Sequence, residues 1–201
     1  FQTIYRDRVY SAGSGNTSGI NRYSSRVAFS NVGDFAAWTT TDFIDVEDTS
    51  GEPISGLKVL NDVLWAFKPN SIFSWNENEL KQRVFGAGAY NHNVIQEIDG
   101  ILYTFCPAGV FATTGYQTTR ISDPVDEYLK DFAVRYPDVS NNWRTVSSCF
   151  AGTFDKKYLL YIGDITRPMD QRTATTDVVL VYDTIKKNWS VWNGFTDFTF
   201  F

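Results

Sequence analysis

The stretch Leu60-Asn61-Asp62-Val63-Leu64-Trp65-Ala66-Phe67, continued by Lys68-Pro69-Asn70 and Ser71-Ile72-Phe73-Ser74-Trp75, carries the pattern from which the fold is read. A polar turn leads into a five-residue apolar strand, a short turn with Pro follows, and a second apolar strand returns. The order recurs in Ile98-Asp99-Gly100-Ile101-Leu102-Tyr103-Thr104-Phe105, Cys106-Pro107-Ala108-Gly109 and Val110-Phe111-Ala112-Thr113. Val63 corresponds to Ile101, Phe67 to Phe105 and Phe73 to Phe111, each 38 residues on. A third copy begins at Phe154-Asp155-Lys156-Lys157-Tyr158-Leu159-Leu160-Tyr161-Ile162 and resumes, after an insertion, at Val178-Val179-Leu180-Val181-Tyr182. A fainter first copy is Tyr5-Arg6-Asp7-Arg8-Val9-Tyr10, with Arg26-Val27-Ala28-Phe29-Ser30 as its partner.

About four units of roughly 40–55 residues match the size of a propeller blade. Val63, Trp65 and Phe67 share one strand face, and Leu64 and Ala66 the other, so the strand is apolar on both. Inner strands of stacked sheets are buried that way. Asn61-Asp62, Asp99-Gly100 and Asp155-Lys156-Lys157 read as hairpin turns, where Asn, Asp and Gly tolerate positive φ. The expected fold is all-β: a β-propeller or a consecutive run of propeller blades, forming a single β-propeller-like domain over residues 1–201. One short helix interrupts it near 123–136. Asp123 is placed as its N-cap and Pro124 at its first position, and Val125, Leu129 and Phe132 fall on one face.

Composition narrows the class. Hydrophobic residues make up 43% of the 201 residues and aromatics 16%, enough for a packed core. A net charge of −5 repels phosphate backbones and anionic headgroups, so specific nucleic-acid binding is not expected. No apolar run approaches the roughly 20 residues that span a bilayer, so no membrane partner is expected either. Cys106 and Cys149 match no metal spacing and read as buried free thiols. The chain opens Phe-Gln-Thr-Ile-Tyr without Met and ends in the strand-like Phe195-Thr196-Asp197-Phe198-Thr199-Phe200-Phe201. Both ends read as those of a segment of a larger chain, and an open apolar edge at 192–201 would need a partner strand.

Each candidate site has a simpler structural reading. Gly13-Ser14-Gly15-Asn16-Thr17-Ser18-Gly19 lacks the third Gly of a dinucleotide fingerprint and the Lys of a phosphate loop, and reads as part of a surface loop at 11–25. His92 is the only histidine, and Asn91-His92-Asn93 reads as a polar loop entering a strand. Carboxylates gather at Asp42, Asp45, Glu47 and Asp48 and again at Asp123, Asp126 and Glu127, without EF-hand spacing or a marked acid–base pair. They read as solvated loops, as do the stretches 45–53 and 163–176. Ser30-Asn31-Val32-Gly33-Asp34-Phe35-Ala36-Ala37-Trp38 faintly resembles the Asp-box turn of sialidase-like propellers, but its Gly spacing differs. No catalytic, cofactor-binding or metal-binding residue is assigned, and no cofactor is expected.

Read together, these segments resemble a family of tailed-bacteriophage virion proteins. The resemblance runs through Arg26-Val27-Ala28-Phe29-Ser30, Gly33-Asp34, Trp38 and Phe43-Ile44-Asp45-Val46. It continues in Gly51-Glu52-Pro53-Ile54-Ser55-Gly56-Leu57, the hairpin at 61–73, Ile98–Tyr103, Gly109-Val110-Phe111 and Arg120-Ile121-Ser122-Asp123-Pro124-Val125. It closes with Val181-Tyr182-Asp183 and Asn188-Trp189-Ser190-Val191-Trp192. It implies a non-enzymatic, propeller-containing component of the neck, tail or tail hub, of the kind described as tail or DNA-stabilisation proteins. The implied partners are portal, neck or tail proteins and further copies of the chain, and the implied location is the virion, after folding in the host cytoplasm. A second reading is a carbohydrate-binding or carbohydrate-cleaving receptor-binding propeller of a phage tail. A third is a cellular propeller scaffold.

Overall fold

The computed structural model describes residues 1–13, 25–46, 52–76, 79–115, 117–135, 149–166 and 174–194. Its strands form four antiparallel sheets of four strands, each a meander in chain order, and no sheet closes into a barrel among the described residues. The first holds β1 (Gln2–Tyr5), β2 (Arg8–Ala12), β3 (Arg26–Asn31) and β4 (Asp34–Asp45). The second holds β5 (Gly56–Leu60), β6 (Val63–Phe67), β7 (Ser71–Trp75) and β8 (Leu80–Phe85). The third holds β9 (Gln96–Ile98), β10 (Ile101–Cys106), β11 (Gly109–Thr113) and β12 (Thr118–Arg120). The fourth holds β13 (Phe150–Phe154), β14 (Lys157–Thr166), β15 (Ala174–Asp183) and β16 (Asn188–Trp192). The chain divides into two units, Phe1–His92 and Asn93–Phe201, with two sheets in each.

The first two strands of every sheet are joined by two residues at positive φ. These are Arg6-Asp7, Asn61-Asp62, Asp99-Gly100 and Asp155-Lys156, with φ from 44° to 75°. That is the φ signature of the tight hairpin turn whose twist matches its flanking strands. The fourth turn is one residue shorter than its sequence suggests, because Lys157 already pairs with Phe154. The 38-residue correspondence extends to the ladders themselves. Leu60↔Val63, Trp65↔Ser74, Ala66↔Phe73 and Phe67↔Ile72 in the second sheet return as Ile98↔Ile101, Tyr103↔Ala112, Thr104↔Phe111 and Phe105↔Val110 in the third.

Packing follows from the apolar second strands. In the first unit one core joins both sheets, with Tyr5, Tyr10, Ala12, Val27 and Ile44 on one side and Leu57, Leu64, Ala66 and Phe73 on the other. Each fully buried Leu, Ile or Phe there contributes about 1.5–3 kcal/mol. β1 lies beside β5, Tyr5 donates its hydroxyl to the Asp62 carbonyl (2.9 Å), and Arg6 pairs with the Asp62 carboxylate (2.5 Å). The second unit repeats this arrangement. β9 lies beside β13, Lys156 pairs with Asp99 (2.9 Å), and Tyr103 stacks on Tyr158 with ring centroids 5.7 Å apart.

The helix stands where the sequence places it, with a different start. Asp123–Val125 forms a 3₁₀ turn and α1 (Asp126–Arg135) follows. Asp123 is not the N-cap. Ser122 precedes the 3₁₀ turn without a side-chain capping bond, and Asp123 instead faces Arg120. Val125, Leu129 and Phe132 are buried as expected, and Phe132 meets Phe105 edge-on at 5.2 Å. The loops read at 45–53 and 163–176 are shorter, because β4 runs through Asp45, β14 to Thr166 and β15 from Ala174. Most of the 11–25 loop and the 195–201 segment lie outside the described residues. No helix among the described residues is long and apolar enough to cross a membrane.

Two glycines separate steric from conformational demands. Gly88 lies against the carbonyl oxygens of Lys68 and Pro69, where a Cβ would overlap backbone atoms that cannot swing away. Gly100 has φ +75° and open space around it. Gly88→Ala should therefore cost on the order of 3 kcal/mol or more, and Gly100→Ala only about 1–2 kcal/mol. Denaturant midpoints of the two variants check the order; equal losses would contradict the close contact at Gly88.

Candidate functional site

An exposed feature with both aromatic and polar side chains lies on the outer edge of the first sheet. Ser30, fully buried, accepts a hydrogen bond from the Val9 amide through its Oγ (3.0 Å), so a hydroxyl stands in the ladder in place of a carbonyl. On the other side of β3, pairing slips twice: Ala28 faces Phe43, Ser30 faces Trp38 and Asn31 faces Asp34. The surplus residues of β4 must leave the ladder, as in a large β-bulge. The departing segment opens a cavity of about 360 Å³ lined by Arg26, Ala28, Trp38, Thr39, Thr40, Asp42 and Phe43.

The cavity walls are tied down. Arg26 forks onto Asp45, its cross-strand neighbour, with bonds of 2.7 and 2.9 Å. Its guanidinium lies 3.4 Å from the centroid of the Phe43 ring. A planar cation held by a carboxylate and an aromatic face is neutralised and fixed. Trp38 donates its indole N–H to the Phe35 carbonyl (3.1 Å) and remains 42% exposed. Thr39 donates to the Asn31 side chain at 3.4 Å. Asp42 is half-buried, and neither it nor Thr40 has a hydrogen-bond or ionic partner among the described residues.

The carboxylate groups quoted from the sequence divide between this cavity and a separate clasp. Asp42 lines the cavity and Asp45 holds Arg26 beside it, while Glu47 and Asp48 lie outside the described residues. Asp123 and Asp126 are both held by Arg120, at 2.5 and 2.6 Å, and Arg120 Nε also donates to the Ala108 carbonyl (2.8 Å). That clasp ties the β10–β11 turn to the start of α1. Glu127 is exposed on α1. Ser30–Trp38 forms the β3–β4 hairpin rather than an Asp-box turn, with Gly33 at φ +69°. Of the glycine-rich stretch, only Gly13 is among the described residues. Cys106 and Cys149 are buried thiols outside any disulfide. Among the described residues, no three His, Cys, Asp or Glu side chains are grouped to hold a metal.

His92 is part of the packing. Its Nδ1 accepts the Leu57 amide at 3.4 Å, and its ring stacks on Phe1 at 5.5 Å. Burial and the nearby Lys58 charge lower its pKa below the usual 6.5. Tyr158, fully buried, donates its hydroxyl to the Val94 carbonyl (2.9 Å), and burial raises its pKa well above the usual value. Burial, with Tyr182 and Asp99 nearby, pushes Tyr103 up to about 12. These groups stay neutral near pH 7 and have structural partners. The cavity itself was not legible in the sequence.

Comparison with known proteins found no matching protein-family model and no matching curated protein.

The His92 environment predicts an acid sensitivity. The folded pKa lies below the unfolded 6.5, so the unfolded chain takes up the proton first. His92 thus contributes stability above pH ~6.5 that is lost as the pH falls through its folded pKa. In an NMR titration the single imidazole should titrate below 6.5. The melting temperature of His92→Phe should depend less on pH between about 7 and 5 than that of the parent. An imidazole titrating at or above the usual value would contradict the half-buried, neutral assignment.

Proposed function

We propose that this chain is a non-enzymatic structural component of a tailed-bacteriophage particle, in the neck, tail or tail hub, acting through protein–protein contacts in assembly. Its four sheets are consecutive blades of a β-propeller. The observation that carries the blade reading is the register repeat: each sheet is a four-stranded meander, and the second and third share pairings 38 residues apart. First strands lie side by side in each unit, β1 with β5 and β9 with β13, as blade strands do where they converge.

The virion reading rests on the ordered resemblance across residues 26–192. It is supported by what the charged side chains do. Arg6 and Lys156 link neighbouring turns, Arg26 is committed to Asp45, and Arg120 to Asp123 and Asp126. Chemistry of this kind holds a rigid scaffold in shape. The partners are other virion proteins, portal, neck or tail components, and further copies of the chain, assembled after folding in the host cytoplasm. A net charge of −5 does not favour contact with the packaged genome's phosphate backbone.

An antibody against the chain should label purified particles at the neck or tail in electron micrographs. Particles lacking the protein should be defective in assembly or genome retention. Protein confined to the infected-cell lysate, never sedimenting with particles, would overturn the proposal.

A further inference from the structure

The cavity at the β3–β4 bulge has the chemistry of a small-molecule site and goes beyond the assembly role. We infer that it binds the pyranose ring of a neutral sugar. Its volume, about 360 Å³, falls in the range of ligand pockets and leaves room for one monosaccharide. Its lining is mixed as a sugar requires: Trp38 and Phe43 offer aromatic carbon, and Thr39, Thr40 and Asp42 offer hydroxyl and carboxylate oxygens. A pyranose ring presents both kinds of surface, with a face of C–H bonds and a rim of hydroxyl groups that donate and accept.

Other ligand classes fit less well. Arg26 is spent on Asp45 and Phe43, which leaves it little attraction for an anion, and Asp42 repels one. A cation would find a single half-buried carboxylate in the lining, a weak site for a charged group. A purely apolar ligand would bury the Asp42 carboxylate without a partner, at a cost of several kcal/mol. A sugar hydroxyl donates to that carboxylate and brings no charge into the cavity. The site is also pre-organised: the Trp38 indole is fixed by its bond to Phe35, so little side-chain freedom is lost on binding. Strand addition along this stretch of β4 is hindered, because the bulged residues break the even spacing a new strand needs.

The test is saturation-transfer NMR on the full chain with the methyl glycosides of glucose, galactose, mannose and N-acetylglucosamine. Inorganic phosphate, followed by phosphorus NMR, and N-acetyl-lysine methylamide serve as anionic and cationic probes. At least one glycoside should receive saturation, strongest along one C–H face, with millimolar affinity. Trp38→Ala should weaken that binding by about ten-fold, the equivalent of one aromatic contact. Asp42→Asn should weaken it several-fold with an unchanged circular dichroism spectrum. Thr40→Val, on the exposed bulge, provides a second variant that leaves the core intact and should also weaken binding. Silence from all four glycosides would overturn the inference, as would binding unchanged in both Trp38→Ala and Thr40→Val. Saturation of the lysine amide alone, lost in Asp42→Asn, would replace it with a cation site.

Discussion

At the head of each sheet, two consecutive residues are held at positive φ, and the placement of everything downstream depends on them. Five of the eight are Asp or Asn and one is Gly, whose side chains bear this conformation at least cost. Arg6 and Lys156 are the exceptions, each carrying a steric cost of about 1 kcal/mol. Arg6, first of its turn pair, reaches Asp62 in the turn of the neighbouring sheet, and Lys156, second of its pair, reaches Asp99. Exposed pairs of this kind are worth at most about 1 kcal/mol, so they offset the turn strain and leave stability to the cores. The turn geometry also fixes register. A slip by one residue would send every side chain to the opposite face, and faces filled by Tyr103, Tyr158 and Phe67 could not exchange with those holding Ala66 or Thr104.

The same constraint explains what could be read in the sequence. The hairpins at 60–75 and 98–113 announced themselves because their inner strands are buried on both faces and their turns use Asn, Asp and Gly. Such strands leave a strong apolar signal. The outer strands do not. β12 is three residues, Thr118–Arg120, all partly or fully exposed, and β4 is exposed along most of its twelve residues. A strand that buries little has no hydrophobic period to detect, and β4 and β12 are of that kind. The helix face of Val125, Leu129 and Phe132 was legible for the opposite reason: it packs. Its start was not, because Asp123 had two possible partners. The local cap lost to Arg120, which is positioned by β12 and engages Asp126 as well.

The cavity was illegible on different grounds. Nothing in the residue types of Trp38-Thr39-Thr40-Thr41-Asp42 marks a bulge, since a bulge is a mismatch in count between two strands. Here the second strand of the mismatch, β3, is anchored on its other side by Ser30, whose hydroxyl takes the Val9 amide. The carboxylates at 42 and 45 read as one solvated group, yet they have separate fates. Register puts Asp45 opposite Arg26 and commits it, whereas Asp42 falls within the displaced segment and keeps its lone pairs.

Edge protection and the cavity are thus two results of one irregularity. A fourth strand leaves a row of unpaired backbone groups, and proteins blunt such rows by bulging or shortening them. β4 is bulged, β8 carries one extra residue between its pairings with Ile72 and Phe73, and β12 is only three residues long. β16 alone keeps an unbroken ladder over five residues, with Trp192 exposed at its end. Of the four outer strands, β16 therefore offers the most regular template for an added strand, and β4 the least. The surplus residues that make β4 a poor template are also those that carry Thr39, Thr40 and Asp42 away from the sheet. On that edge, recognition falls to side chains around a cavity, because the backbone has been made unfit for it.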